Sequence, residues 1–272
     1  MPKVKINDVD IHYRVSGKGD QVLMILNGIM MSVASWMEMV PTYTRAGYKV
    51  INVDFRDQGE SGSSPGGYSN EQHVEDLKGL LTHLEIKSCT VLGISYGGQV
   101  AMMLALAYPE MVRGLILANT MSRFTPYLRA IGAAWDEGAK LQDGETFFKL
   151  AMPLIYSDVF YERKEQWLQD RAREFGKAAT AQWFQRYLRL SSSLEGYDIS
   201  GKIHSIEVPT LVIASDKDVV TPYEELLMIH RKIKNSLFVM LPEAGHASCY
   251  EKMREFNVQV LGFLVMNQGM DG

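Results

Sequence analysis

The sequence predicts an α/β fold: a mostly parallel β-sheet flanked by helices, with a helical segment inserted between two of its strands. Three observations predict it. Short apolar runs at 22–26, 89–93, 114–118 and 209–214 read as buried strands, separated by stretches of helical period. The alternation stops near Met121, and residues 121–205 show helical patterns without a convincing strand before it resumes at Pro209. A sharp glycine-flanked turn, Gly93-Ile94-Ser95-Tyr96-Gly97-Gly98, joins the run Thr90-Val91-Leu92 to a helical pattern that begins at Gln99.

The elements follow in order. Residues 3–16 alternate apolar and polar around Asn7-Asp8, which predicts an antiparallel hairpin from Val4 to Ile6 and Val9 to Val15. Val22 to Leu26 is a buried strand that ends at Asn27-Gly28-Ile29-Met30-Met31. A helix is predicted from Val33 to Ala46, closed by Gly47, then a strand from Lys49 to Phe55. Arg56 to Tyr68 is a glycine- and serine-rich loop, and Asn70 to Leu84 has helical period. After the helix that follows Ser95, Tyr108-Pro109 stops the pattern, and Gly114 to Ala118 is a strand. The sheet resumes with Pro209 to Ala214 and Ser236 to Leu241, and a closing helix runs from Tyr250 to about Met266. The last residues, through Gly269 and Gly272, are expected to fray. The predicted division is a core of 1–120 and 206–272 with a helical cap at 121–205. That segment holds Trp135, Trp167 and Trp183, with Phe147, Phe148, Phe160, Phe175, Phe184 and Tyr187 among its other aromatics, and these suit both its own core and the roof of a pocket.

Bulk composition excludes several functions. A net charge of −4 leaves no basic footprint for nucleic acid. Two cysteines, Cys89 and Cys249, are too few for a disulfide framework and suit free thiols in a reducing compartment. Met1-Pro2-Lys3-Val4-Lys5 lacks a signal peptide's apolar run. No stretch approaches the roughly 20 apolar residues of a membrane span, so a cytoplasmic location is expected. There is no His-Glu-x-x-His, no Cys-x-x-Cys and no phosphate-cradling glycine loop with lysine, so neither metal nor cofactor is expected. The sequence sets no oligomeric state.

The chemistry centres on Ser95. A strand, Gly-x-Ser-x-Gly and a helix are the context of a nucleophile elbow, where Gly93 and Gly97 remove side chains that would collide at so sharp a turn. Taken alone, the motif also fits a serine that only caps the helix. A nucleophilic serine needs a base, and the base an orienting acid. Of six histidines, His246 follows a strand's C-terminal end, where sites on parallel sheets lie; His204, just before a strand, is second. Asp216 and Asp218 both emerge from the strand that ends at Ala214. The oxyanion donors are expected to be the backbone N–H groups of Tyr96 and Ile29. Met30, beside the oxyanion loop, and Met121, at a strand end, are candidate linings of an apolar substrate pocket, with Asn27 as a third candidate contact.

These residues together resemble the α/β-hydrolase superfamily in its capped, single-domain form, over essentially the whole chain. The resemblance rests on Asn27-Gly28, on Asp54-Phe55-Arg56-Asp57-Gln58-Gly59-Glu60-Ser61, on the elbow at Ser95, on the Asp218 loop and on Gly245-His246. The order Ser, Asp, His is the superfamily's. Its Gly-x-x-Asp pattern, with Ser215 in the glycine's place, selects Asp218 over Asp216. Two departures stand out: Asn27 where most relatives carry histidine, and Asp57 where glycine is usual. Asn27-Gly28 followed by Ile-Met-Met-Ser-Val-Ala-Ser-Trp is similar to a smaller branch that includes hydroxyacyl-carrier-protein acyltransferases. The resemblance implies a serine hydrolase acting on a carboxylic ester or related small acyl compound, without cofactor. Its alternative is an acyltransferase that moves a (hydroxy)acyl group from a thioester carrier. A binding protein that keeps the triad as a relic is a third expectation. Carbon–carbon hydrolases and cofactor-free haloperoxidases of the superfamily use the same three residues. A serine nucleophile disfavours dehalogenase and epoxide hydrolase chemistry, which need a carboxylate.

Overall fold

The computed structural model describes residues 2–64 and 66–267. The fraying expected at Gly269 and Gly272 lies outside the described residues. Eight strands form one sheet in the order β1-β2-β4-β3-β5-β6-β7-β8. β1 (Lys3–Ile6) and β2 (Val9–Ser16) are the predicted hairpin, and β2 pairs antiparallel with β4 (Lys49–Val53). From β4 onward every pairing is parallel, through β3 (Val22–Leu26), β5 (Cys89–Ile94), β6 (Val112–Ala118), β7 (Thr210–Ser215) and β8 (Ser236–Leu241). All five side chains of β3 are buried, as an inner strand covered on both faces requires.

The predicted helix at 33–46 is two pieces. A 3₁₀ turn (Val33–Trp36) comes first, and α1 (Val40–Arg45) starts again where Pro41 suits a helix's first turn. Gly47 closes it at φ 92°. α2 (Glu71–His83) falls within its predicted range, whereas α3 (Tyr96–Ala107) begins three residues before the predicted Gln99, directly after Ser95. Between β6 and β7 lie α4 (Pro126–Lys140), α5 (Gly144–Ile155), α6 (Asp158–Ala178) and α7 (Ala181–Ser192). Each opens on a side-chain cap: Thr125, Asp143, Ser157 and Thr180 accept from the N–H groups of Leu128, Thr146, Phe160 and Trp183. Such caps are worth about 1 kcal/mol each, and their spacing divides the segment into four helices. α8 (Tyr223–Lys232) joins β7 to β8. The closing helix is also split, into α9 (Ser248–Glu251) and α10 (Met253–Met266), with Lys252 non-helical between them.

Three apolar clusters result, one on each face of the sheet and one within the inserted helices. The third joins Trp135, Phe147, Phe184 and Tyr187 to Met121 and Val220 at the sheet's edge. Among the described residues, no helix is long and apolar enough to cross a membrane.

The loop after β4 ties the layers together. Arg56 is 2% exposed and donates to both oxygens of buried Asp76, at 2.7 and 2.9 Å, and to Asp8 at 3.0 Å. Asp57 sits at φ 62°, a backbone conformation that suits the glycine which the resemblance leads one to expect there. Its carboxylate gives the reason for the change: Arg189 on α7 donates to it twice, at 3.1 and 2.5 Å. Arg186 on the same helix donates to the carbonyls of Gln58, Gly59 and Ser61.

Replacing Arg56 strands a buried carboxylate. Arg56→Met is expected to lower unfolding free energy by about 3–5 kcal/mol in urea titrations. Arg56→Met/Asp76→Leu should recover most of that loss, because no unpaired charge then stays buried.

Candidate active site

The site forms where β3, β5, β6, β7 and β8 end. At the turn from β5 into α3, Ser95 has φ 52° and ψ −118°, a strained conformation for a residue with a side chain. A Cβ on Gly93 would lie 2.3 Å from the Gly97 carbonyl oxygen, and one on Gly97 would lie 2.4 Å from that of Leu26. Neither position can take a methyl group without moving backbone.

His246 lies in the loop after β8 and is 7% exposed. Its Nε2 is 2.8 Å from Ser95 Oγ, and its Nδ1 is 2.9 Å from Asp218 Oδ2. The geometry thus brings together the three side chains expected from the sequence. Asp216, the other acid considered, is exposed, and its carboxylate is held at long range by the Ala244 N–H instead. His204 is exposed in a 3₁₀ turn, Ile203–Ser205.

Asp218 is buried and accepts five hydrogen bonds. Oδ1 takes the N–H groups of Val220 and Thr221, both at 2.9 Å. Oδ2 takes Thr221 Oγ1 at 2.6 Å, Asn119 Nδ2 at 2.9 Å and His246. Burial alone would push this carboxyl up. The charge of His246 and the hydrogen bonds from His246 and Thr221 outweigh burial and hold it below its usual value of 3.8.

Asn119 and Thr221 escaped the sequence reading. Asn119 directly follows β6, at φ 44°, and also receives Ser248 Oγ on its Oδ1 at 2.6 Å. A polar residue closing an apolar strand was the available signal. Thr221 lies three residues after the acid, a spacing that lets it donate both N–H and hydroxyl.

Tyr96 is the first residue of α3, so its N–H has no acceptor within the helix. Its ring is buried against Phe55 and His73, and its hydroxyl is 2.6 Å from Ser193 Oγ. Ile29 lies in a turn closed by Met31 N–H donating to the Gly28 carbonyl at 3.0 Å. A Cβ on Gly28 would stand 3.7 Å from that of Ser95, so the loop abuts the serine. Met30 is half-buried and Met121 fully buried, both with Ile29 in the apolar cluster of the inserted helices.

The expectation that Asn27 contacts substrate needs correction. Asn27 is 0% exposed, and both ends of its amide are occupied. Nδ2 donates to Val53 O at 2.8 Å and Gln58 Oε1 at 3.0 Å, while Oδ1 accepts Trp36 Nε1 at 2.8 Å. It braces the loop from below. His12 pairs with Asp54 at 2.6 Å in the same buried network. His73, fully buried among Phe55, Tyr68 and Tyr96, is pushed down to about 3 by burial and stays neutral. Among the described residues, no group of three or more His, Cys, Asp or Glu side chains is arranged to hold a metal ion.

Residues 21–253 match the family model for the alpha/beta hydrolase fold. The chain belongs to the α/β-hydrolase family. As an α/β-hydrolase it superposes on the crystal structure of MGS-M2, an alpha/beta hydrolase enzyme from a Medee basin deep-sea metagenome library. The TM-score is 0.93 at 34% identity, over 97% of each chain. It is 27% identical to 3-oxoadipate enol-lactonase 2 of Acinetobacter baylyi, over 92% of this chain and 91% of the relative. It is also 27% identical to a 2-hydroxy-6-oxononadienedioate/2-hydroxy-6-oxononatrienedioate hydrolase of Paraburkholderia phymatum, over 94% and 91%. The α/β-hydrolase is an enzyme and a hydrolase. These relatives lend no support to the acyl-transfer expectation drawn from Asn27-Gly28.

The depressed Asp218 carboxyl has a consequence for stability. A group whose folded value lies below its unfolded value stabilises fully above the unfolded value. That contribution is lost as pH falls through the folded value. Wild type should therefore lose stability below about pH 3.8, and Asp218→Asn should lack this part of the loss, as read by urea titrations at pH 7 and at pH 3.

Proposed function

We propose that this enzyme hydrolyses carboxylic esters or lactones of small, uncharged, largely apolar acyl compounds through an acyl-enzyme on Ser95. The observation that carries the reading is the position of His246 between Ser95 Oγ at 2.8 Å and Asp218 Oδ2 at 2.9 Å. Ser95 Oγ attacks the carbonyl carbon while His246 Nε2 takes its proton. Asp218 holds the Nδ1–H tautomer and stabilises the imidazolium. The N–H groups of Tyr96 and Ile29 receive the oxyanion. Collapse breaks the ester C–O bond, and His246 returns the proton to the departing alkoxide. Water, deprotonated by His246, then attacks the acyl-enzyme and releases the acid and free Ser95.

Residues 121–205 act in this proposal as a cap over the serine. The substrate class follows from its charges. Among the described residues of this segment, every lysine and arginine is exposed except Arg186 and Arg189. Those two are engaged by Asp57 and the carbonyls of 58–61. A carboxylate on the acyl group would find no unpaired buried cation there, and burying it alone is costly.

A fluorophosphonate probe should label Ser95 and no other residue, with Ser95→Ala unlabelled and its esterase kcat down by about 10⁴–10⁶. Asp218→Asn should lose about 10⁴ in kcat. Against short p-nitrophenyl esters, an acyl chain ending in carboxylate should show kcat/KM lower by about 10-fold or more than its uncharged counterpart. Folded protein that resists the probe at neutral pH would sink the reading; equal rates on the two esters would remove its substrate class.

A further inference from the structure

The serine-hydrolase reading needs the Ile29 N–H aimed at the oxyanion, and no side chain can supply that N–H. What aims it is the other side of the same peptide. The Gly28–Ile29 bond is trans, as are all described peptide bonds, so its C=O and N–H point in opposite directions. Gln58 Nε2 donates to the Gly28 carbonyl at 2.7 Å and approaches the Ile29 carbonyl at 3.3 Å. Its Oε1 faces two donors, Asn27 Nδ2 at 3.0 Å and Phe55 N at 3.3 Å. With carbonyls on one side and N–H groups on the other, the amide has a single consistent orientation. The main chain of the same residue is gripped from the inserted helices. Arg186 of α7 donates to Gln58 O at 3.1 Å, to Gly59 O at 3.1 Å and to Ser61 O at 2.6 Å.

We propose that Gln58 is the positioning residue of the oxyanion loop, holding the Gly28 carbonyl so that the Ile29 N–H faces Ser95, and that Arg186 transmits the seating of α7 to it. Gln58 does not touch the substrate. It acts through the orientation of one peptide plane, so its removal acts on the transition state, where the oxyanion exists, and spares ground-state binding. Asn27 belongs to the same device: its Nδ2 satisfies Gln58 Oε1 and so leaves Nε2 for the loop. This accounts for an asparagine beneath the loop without giving it a contact with substrate.

The inference rests on the serine-hydrolase reading, and the test separates the two. Gln58→Glu keeps the shape but sets an acceptor against the Gly28 carbonyl, and Gln58→Leu removes the donor. Both are compared with wild type in the rate of fluorophosphonate labelling, in kcat and KM for a short p-nitrophenyl ester, and in the acid limb of the pH–rate profile. Losing an oxyanion donor outright costs about 10²–10³ in kcat, so a misaimed one should cost at least about 10-fold in kcat and in labelling. KM should stay within about threefold, and the acid limb should not move, because His246 is untouched. Should neither variant fold, Arg186→Met leaves the Gln58 side chain in place and frees its main chain. The proposal expects labelling at least about threefold slower there. Wild-type protein that is not labelled at all defeats the serine-hydrolase reading. Wild type that labels, beside folded variants that label equally fast or lose only in KM, overturns this inference alone.

Discussion

The site depends on how closely α3 approaches the ends of β3 and β5. The missing side chains at Gly93 and Gly97 leave room for backbone only, with the Leu26 and Asn27 carbonyl oxygens 2.4 and 2.8 Å from where a Cβ on Gly97 would stand. That contact puts the loop 27–31 against the turn that carries Ser95. The turn is strained, at a cost of about 1–3 kcal/mol. The strain is small beside what α3 buries: Val100, Met102, Met103 and Leu104 are each 7% exposed or less, and each contributes about 2 kcal/mol on leaving water. The helix is therefore held in place by its middle turns, and the strained residue at its near end has no freedom to relax.

A second constraint is the burial of a carboxylate. An ionised Asp218 with no exposed side-chain surface is tolerable only if every lone pair finds a donor. The backbone of the loop 218–221 supplies two of them, a local solution written into consecutive residues. Asn119, directly after β6, supplies another, and Asn119 is itself fixed by Ser248, two residues beyond His246. Thr221 Oγ1, which donates to Asp218, also lies 3.2 Å from His246 Nδ1, so Asp218 and His246 share a partner besides their direct contact. The position of the imidazole ring is set by a closed circuit of hydrogen bonds, and the lone Asp–His contact is one member of it.

Much of this was legible in the sequence because it is local or periodic. The strands at 22–26 and 236–241 fall within their apolar runs, and the glycines around Ser95 announce the turn that needs them. The resemblance to the superfamily, through its Gly-x-x-Asp pattern, preferred Asp218 to Asp216, and the fold places Asp216 at the surface. What was not legible depends on partners distant in the chain. Asn27 reads as a loop residue near a pocket; its partners Trp36, Val53 and Gln58 converge on it only when β3 and β4 pair. Asp57 reads as a departure from glycine, and its partner Arg189 is 132 residues away. The splits at 37–39 and at Lys252 were missed because hydrophobic period continues across them while the backbone does not.

The inserted helices are fastened where the site is built. On one side, α7 holds the loop 57–61 through Arg186 and Arg189. On the other, the link between α5 and α6 meets the loop of His246: the Ile155 carbonyl accepts the Ala247 N–H, and Glu251 accepts from both Ser157 N and Gly245 N on one oxygen. Its second oxygen takes the Ser157 hydroxyl. Burial raises the carboxyl of Glu251, yet this seam does not need the charge. A protonated Glu251 can turn its O–H toward Ser157 Oγ and keep both N–H groups on the other oxygen. The fastening on the His246 side therefore holds in either charge state. The fastening on the α7 side combines the Arg189–Asp57 ion pair with three hydrogen bonds from Arg186 to backbone carbonyls.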